Sequence, residues 1–167
     1  MRLRHFAIVL ALCFPACGYQ VGEIKPTPMR SIHTLAIPSF VNKTYVTRVE
    51  VLVADTVIKQ FQQDGTYPIV SESKADAILY GTITKFERRS IRSVLSNVLA
   101  TSEFSLHMEV EYKVADRITG RVLMKGRATG DTPFFTSPDL VTDERQAIPL
   151  ASQKLATQIV SEVSEGW

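Results

Sequence analysis

The densest basic cluster of this sequence places four cationic side chains within eight residues. Only one acid, Glu87, interrupts it, and its members are Lys85, Arg88, Arg89 and Arg92. The forked guanidinium group of arginine matches the oxygen atoms of phosphate, so this spacing is typical of a phosphate-binding site. The same charges also occur at solvated strand ends, where they discourage edge-to-edge pairing of sheets. Both interpretations stay open at this point.

No set of side chains in the sequence has the spacing that catalysis needs. The histidines beyond the N-terminal segment, His33 and His107, fall on separate predicted strands, and His107 lies on the polar face of its strand. Glu109 and Glu111 share that face, where we expect them to meet solvent. Nucleophile-elbow, zinc-protease and phosphate-loop motifs are missing. The sequence therefore predicts a protein that is not an enzyme and that binds no metal or cofactor.

Two amphipathic patterns predict the helices that must position these residues. Residues 47–64 repeat apolar side chains at spacings of three and four, with Thr47 and Glu50 as a capping box and Gly65 as the terminating glycine. The C-terminal tail repeats them every four residues. Pro149 conflicts with an unbroken helix from residue 143, so this helix either begins near Pro149 or kinks there. The tail repeat comprises Ala147, Ala151, Leu155, Ile159 and Val163.

The remaining patterns predict strands. Residues 32–40 form a buried strand frayed at Pro38, residues 67–70 form a short one, and residues 75–89 form a longer one. Strict alternation over residues 104–114, a turn at 116–120 and a partner over 121–130 predict a hairpin. Residues 90–102 and 132–143 are expected to be connections. On the longer strand one face should carry Ile78, Tyr80, Thr82, Thr84 and Phe86.

These elements predict an α+β fold in the order β-α-β-β-β-β-α. We expect a mixed, mostly antiparallel sheet of four to five strands with two helices packed on one face. A length of 167 residues favours one domain over two.

The N-terminal segment predicts an exported, lipid-anchored protein. A basic start precedes the apolar residues 6–14, a run too short to cross a membrane as a helix. The residues that follow, Ala16, Cys17 and Gly18, resemble the lipobox of bacterial lipoproteins. Cys13 is the poorer candidate for lipidation, because the bulky Leu12 would stand at the cleavage position. We predict a signal peptide over residues 1–16, a lipidated tether over 17–30 and a domain over 31–167. The alternative is an ordinary secreted chain with a chance cysteine near its cleavage site.

The charge of the mature chain argues against a nucleic-acid partner. Removal of residues 1–16 would take away Arg2 and Arg4 and no acid, leaving equal numbers of basic and acidic residues. Nucleic-acid binders need a surplus of cations to displace counterions. With Cys17 acylated, the mature chain keeps no thiol for a disulfide or a metal.

Three stretches together resemble the LptE family of lipopolysaccharide-assembly lipoproteins. They are CGY at residues 17–19 with Gly22 behind it, LAIPSFVNKT at 35–44 and ADAILYGTI at 75–83. The helical tail ending in Trp167 also fits. Each motif is moderately specific, and their order and spacing carry the resemblance.

The resemblance implies a two-helix, mostly antiparallel sheet domain and a role in the outer membrane. LptE-like proteins plug the large LptD β-barrel, help it to assemble and assist delivery of lipopolysaccharide to the outer leaflet. Cys17 would carry the covalent lipid, its only cofactor-like group, and would hold the protein on the periplasmic side. The family offers no catalytic residues. Charge alone suggests that lipopolysaccharide phosphates bind the basic cluster, with Phe86 as the neighbouring apolar surface.

The alternative is another class of envelope lipoprotein. A similar succession of strand, helix and Ala-Asp-Ala strand occurs in CsgG- and LpoB-like lipoproteins, which form secretion pores or activate cell-wall synthases. The Cys-Gly-Tyr start and the lack of a long pore-forming hairpin favour the LptE-like interpretation. An enzyme would require a cleft with perturbed titratable groups.

Overall fold

The computed structural model describes residues 25–92, 103–135 and 140–166, and the side chains of residues 91, 92, 140 and 141 are outside that description. The predictions made for the signal peptide, for Cys17 and for Trp167 fall outside the described residues. So does most of the predicted connection over residues 90–102.

Five strands form one mixed sheet, which confirms the predicted α+β class. Strand β3 (Ala77–Arg92) pairs antiparallel with β4 (Glu103–Asp116), which pairs antiparallel with β5 (Val122–Phe135). The short strands β1 (Leu35–Ala36) and β2 (Val41–Asn42) both run parallel to β3. Because the three long strands are antiparallel neighbours, the sheet is mostly antiparallel.

Two helices share one core with the sheet. Helix α1 (Val49–Asp64) and helix α2 (Leu140–Glu165) pack on each other, and α2 also packs on β5 and β4. Gly65 ends α1 in the left-handed conformation and donates its N–H to the Phe61 carbonyl at 2.9 Å, as predicted. The predicted Thr47 cap is wrong, because Arg48 holds the N-cap position with a φ of 66°.

The strand predicted over residues 32–40 is a strand only at Leu35–Ala36, and β2 follows just after its predicted end. Pro38 has no N–H for a ladder, and the chain leaves the edge of β3 between β1 and β2. The predicted strand over residues 67–70 contributes only a single bridge between Ile69 and Leu35. The observed order among the described residues is therefore β-β-α-β-β-β-α rather than β-α-β-β-β-β-α.

A bulge at Thr84 reverses the faces of β3. Ile83 pairs with Val110 and Lys85 pairs with Glu109, so Thr84 has no partner in the register. An unpaired residue shifts the alternation by one. Phe86 consequently lies on the helix-packed face with Ile83, both buried, and not on the face of Ile78, Tyr80 and Thr82 as predicted.

The predicted hairpin of β4 and β5 is confirmed, and it is longer than predicted. Residues 132–135 continue β5 in register with β4, although they were expected to begin a loop. Pro133 is accommodated because β5 is an edge strand of the sheet.

Pro149 lies inside α2 and does not begin it. The helix starts nine residues earlier, at Leu140, so the alternative in which the helix begins near Pro149 is wrong. The proline is exposed, while Ala147 and Ala151 on either side of it are buried. Its ring therefore occupies the solvent side of the helix.

The end of the predicted tether belongs to the folded domain. Residues Thr27–Met29 form a 3-10 turn, and the Met29 side chain is fully buried in the core. The domain thus includes residues that the sequence assigned to a flexible segment.

Helix α2 lies unusually close to β5 at Gly130. A Cβ atom placed there would collide with the backbone carbonyl of Ala151, a group that cannot rotate away. Ala151 and Leu155, which face this strand, are fully buried. The absence of a side chain at position 130 sets the distance between helix and sheet.

We expect Gly130→Ala to lower the free energy of unfolding by about 2–3 kcal/mol, because the helix must shift outward from a packed core. Urea denaturation followed by circular dichroism measures this. Thr129→Ala, at the neighbouring position, should cost less than about 1 kcal/mol. Equal effects of the two substitutions would contradict the proposed close approach.

Candidate functional site

The sheet face that points away from the helices, hereafter the open face, carries rows of polar side chains across three strands. One row joins Lys85, Glu109 and Thr129, in that order across β3, β4 and β5. Alternation then places every second residue of each strand on this face. The open face is where the charged residues of the three long strands meet.

Glu109 is the centre of the largest ionic group on the open face. Its side chain is 7% exposed, and its carboxylate accepts bonds from Lys85 Nζ at 3.1 Å and Thr84 Oγ1 at 3.1 Å. Arg127 Nε lies 3.4 Å away, and its Nη2 reaches Glu111 Oε1 at 3.1 Å. Burial alone would raise the pKa of Glu109, but the bonds from Lys85 and Thr84 and the charge of Arg127 outweigh it, so the pKa is lowered.

His107 lies beside this group and is also buried. Its Nδ1 is 2.8 Å from Asp131 Oδ1 on β5. The expectation that His107 and Glu109 face solvent is wrong, although both lie on the predicted polar face. Lys85 of β3 and Arg127 of β5 contact Glu109 from the two neighbouring strands, whereas His107 contacts Asp131 of β5. Glu111, by contrast, is exposed as predicted.

Alternation along β3 divides the predicted basic cluster between the two faces of the strand. Arg88 lies on the helix-packed side, where its Nη1 donates to Glu144 Oε2 of α2 at 3.0 Å. Lys85 and Arg89 lie on the open face, and Arg89 Nη2 donates to Glu87 Oε2 at 3.0 Å. Arg92 pairs with Glu103 in the backbone register, and its side chain is outside the described residues.

Phe86 cannot supply the apolar surface expected beside these cations. Its side chain is 4% exposed and contacts the ring of Tyr45, an exposed residue, edge-to-face. Phe135, to which sequence patterns assigned no role, is 64% exposed and pairs in register with Glu103 at the same end of the sheet. If β5 had been predicted to extend to residue 135, strand alternation would have placed Phe135 on the open face.

A second group of cations was also missed. Tyr80, Lys113 and Lys125 form one row across β3, β4 and β5, near the end of the sheet that carries the Asp116 turn. They line a groove of ≈ 650 Å³ on the open face. Lys113 and Lys125 lie on opposite arms of the predicted hairpin, and the register of β4 against β5 brings them face to face.

The described residues contain neither a group of side chains suited to a metal ion nor a helix suited to crossing a membrane. In residues 25–92, 103–135 and 140–166, no three His, Cys, Asp or Glu side chains are arranged to hold a metal ion. The described helices also lack the combination of length and apolar character that crossing a membrane requires. Among these residues, ionic contacts define the chemistry of the open face.

Comparison with known families gives one match. Residues 32–163 match the family described as LptE, lipopolysaccharide-assembly. This range contains all the strands, helix α1 and all but two residues of helix α2. No curated protein matches the chain in sequence.

Several solved structures share the fold at low sequence identity. A minor lipoprotein of Acinetobacter baumannii is 14% identical over 80% of this chain and 93% of its own, with a TM-score of 0.53. A lipoprotein of Caulobacter crescentus is 17% identical over 75% and 88%, also with a TM-score of 0.53. The PelC dodecamer of Paraburkholderia phytofirmans is 13% identical over 80% and 88%, with a TM-score of 0.54. At these identities the similarity extends to the fold alone.

The lowered pKa of Glu109 predicts a pH-dependent contribution to stability. The contribution should be present above the pKa of the unfolded chain and should disappear as the pH falls through the lower folded value. We therefore expect Glu109→Gln to cost about 1–2 kcal/mol at pH 7 and less at pH 3, because below the ordinary glutamate pKa the unfolded wild-type chain takes up a proton that the folded carboxylate binds less readily.

Urea unfolding of both proteins at the two pH values measures the difference. Glu111→Gln is the matched control, because that half-exposed carboxylate forms a surface ion pair worth under about 1 kcal/mol. A cost of Glu109→Gln that is the same at pH 3 and pH 7 would rule out an ionic origin.

Proposed function

The chain belongs to the LptE family of lipopolysaccharide-assembly proteins, and from this premise we propose that it is a lipoprotein of the outer membrane, anchored through Cys17 on the periplasmic side. The family match over residues 32–163 is the observation that carries this proposal. The apolar run of residues 6–14 followed by Ala16 and Cys17 supports export and acylation.

We further propose that the domain plugs an LptD-like β-barrel and helps it to assemble. The lumen of a large outer-membrane barrel is polar, so a plug needs a surface that tolerates water and charge. The open face meets this requirement, since its carboxylates and cations are largely paired with each other. Scattered exposed apolar side chains offer additional contacts, among them Tyr45, Leu150 and Phe135.

The same protein would assist lipopolysaccharide transport by binding phosphates at the basic cluster. Lipid A carries phosphates beside acyl chains, so a receptor should place cations next to apolar surface. Lys85 and Arg89 lie on the open face, and exposed Phe135 at the same end takes the part first given to Phe86. Arg92, whose side chain is not described, belongs to the same segment of β3.

The cations of the cluster differ in how available they are. Lys85 is held by buried Glu109, and Arg88 is held by Glu144 and lies 5.6 Å from the Phe104 ring. The Arg89–Glu87 pair is about half exposed on both sides, and such pairs are weak. Of Lys85, Arg88 and Arg89, Arg89 therefore loses the least binding energy when a phosphate replaces its carboxylate partner.

The CsgG- and LpoB-like alternative has no observation of its own in its favour. The shared fold is compatible with several envelope lipoproteins, whereas the family match covers nearly the whole domain. The LptE-like role is therefore the function that we propose.

We expect the wild-type protein to incorporate radiolabelled palmitate in cells and to co-purify with one large outer-membrane barrel from detergent-solubilised envelopes. Cys17→Ser should lose the label because the acylated thiol is gone. Capture of a cell-wall synthase without a barrel would favour the alternative, and absence of label on the wild type would refute the anchor.

We expect Arg89→Gln to weaken lipopolysaccharide binding about tenfold, since one charge-assisted hydrogen bond to phosphate is lost. Isothermal titration of the detergent-solubilised protein measures the affinity. Glu87→Gln is the control of opposite sign: it releases Arg89 from its partner and should strengthen binding about threefold. If both variants bind lipopolysaccharide with unchanged affinity, Arg89 is not part of the binding site.

Arg88 is a less informative position for this test. Its loss would leave the Glu144 carboxylate, which is 19% exposed, without its ion-pair partner. A weaker affinity of an Arg88 variant could then reflect displacement of α2.

A further inference from the structure

We propose that the groove at the turn end of the open face binds a phosphate group carried on a saccharide. The groove, hereafter the lysine groove, has a volume of ≈ 650 Å³. That volume is within the range of small-molecule sites. The side chains that face it on the open face are Tyr80, Thr82, Glu111, Lys113, Lys125 and Arg127.

The first argument is the direct opposition of two lysines. The Arg127 carbonyl and the Thr129 N–H contact Gln158 of α2, so they point away from β4. By alternation, Lys125 also has no ladder bonds to β4. Lys113 and Lys125 are therefore a non-hydrogen-bonded pair, the geometry that brings facing side chains closest.

The second argument is that neighbouring acids are already engaged. Glu111 pairs with Arg127 at 3.1 Å, and Glu109 pairs with Lys85 and Arg127. Within the described part of the chain, neither Lys113 nor Lys125 has a carboxylate in ion-pair contact. Facing like charges are unfavourable in a sheet, and an anion between the two ammonium groups would offset this cost.

The third argument is the aromatic wall of the groove. Tyr80 is 40% exposed in the same row, and Lys113 Nζ lies 5.5 Å from its ring centroid. A sugar ring attached to the phosphate could pack its apolar face on the exposed tyrosine ring, while Thr82 offers a hydroxyl nearby. A free phosphate would use the lysines but leave the ring uncovered.

The lysine groove is distinct from the basic cluster. In the register of β4, Arg89 lies opposite Ser105, and Ser105 is eight residues from Lys113. Eight residues of strand span roughly 26 Å. The inference therefore stands or falls independently of lipopolysaccharide binding at Arg89 and of the barrel partner.

Isothermal titration of the full chain in nonionic detergent with glucose 1-phosphate, inorganic phosphate and glucose tests the inference. We expect glucose 1-phosphate to bind more tightly than phosphate, and glucose not to bind. Lys113→Gln and Lys125→Gln should each weaken glucose 1-phosphate binding about tenfold, because each removes one charge-assisted contact. Neither should lower the melting temperature, since each also removes the repulsion between the lysines.

Two controls locate the site. Lys59→Gln makes the same charge change on the exposed side of α1 and should leave the affinity unchanged. Arg89→Gln should also leave it unchanged. Loss of binding in Arg89→Gln but not in the lysine variants would overturn the proposal, as would the absence of binding to the wild type. Equal affinities for inorganic phosphate and glucose 1-phosphate would overturn the saccharide part.

Discussion

The sheet has helices on one of its two faces, and this constraint governs the rest of the structure. Strand β4 lies in the middle, and residues of β3 and β5 contact its buried Glu109 and His107 on the face where the described part of the chain places no helix. Glu109 is buried this way and keeps its charge because Lys85, Thr84 and Arg127 surround it. A buried carboxylate without such partners would destabilise the fold. The open face is therefore a structural layer as well as the surface that we propose for contacts with ligands and with the barrel.

The open face is not uniform in its electrostatics. Around Glu109 and towards Arg89 the cations have carboxylates in contact, and a ligand must compete with these. At the turn end, Lys113 and Lys125 face each other without such partners in the described structure. In the first region an anion must displace a carboxylate, which favours weak and reversible binding. In the second region an anion can bind the lysines without displacing one. Local pairing, more than the count of cations in the sequence, determines where an anion can bind.

Periodicity predicted both helices, the hairpin and the α+β class, because each depends on contacts near in sequence. The features that were predicted wrongly depend on the pairing of strands that are distant in the sequence. The bulge at Thr84 follows from the register of β3 against β4, and it moved Phe86 and Arg88 to the helix-packed side. The contact of His107 with Asp131 likewise depends on the register of β4 against β5. Phe135 was missed because Pro133 predicted a loop, although an edge strand tolerates proline.

Two of the three motifs behind the family resemblance, LAIPSFVNKT and ADAILYGTI, are held together by direct contact. Phe40 of LAIPSFVNKT packs over Gly81 of ADAILYGTI, where a Cβ atom would overlap its ring. Asn42 accepts the N–H and hydroxyl of Thr44 and donates to Glu50 at 2.9 Å, which ties β2 to the start of α1. Asp76 accepts the N–H groups of His33 and Thr34, and these bonds lower its pKa. A resemblance in two separate stretches therefore reflects one packing unit, in which a change in either stretch requires a change in the other.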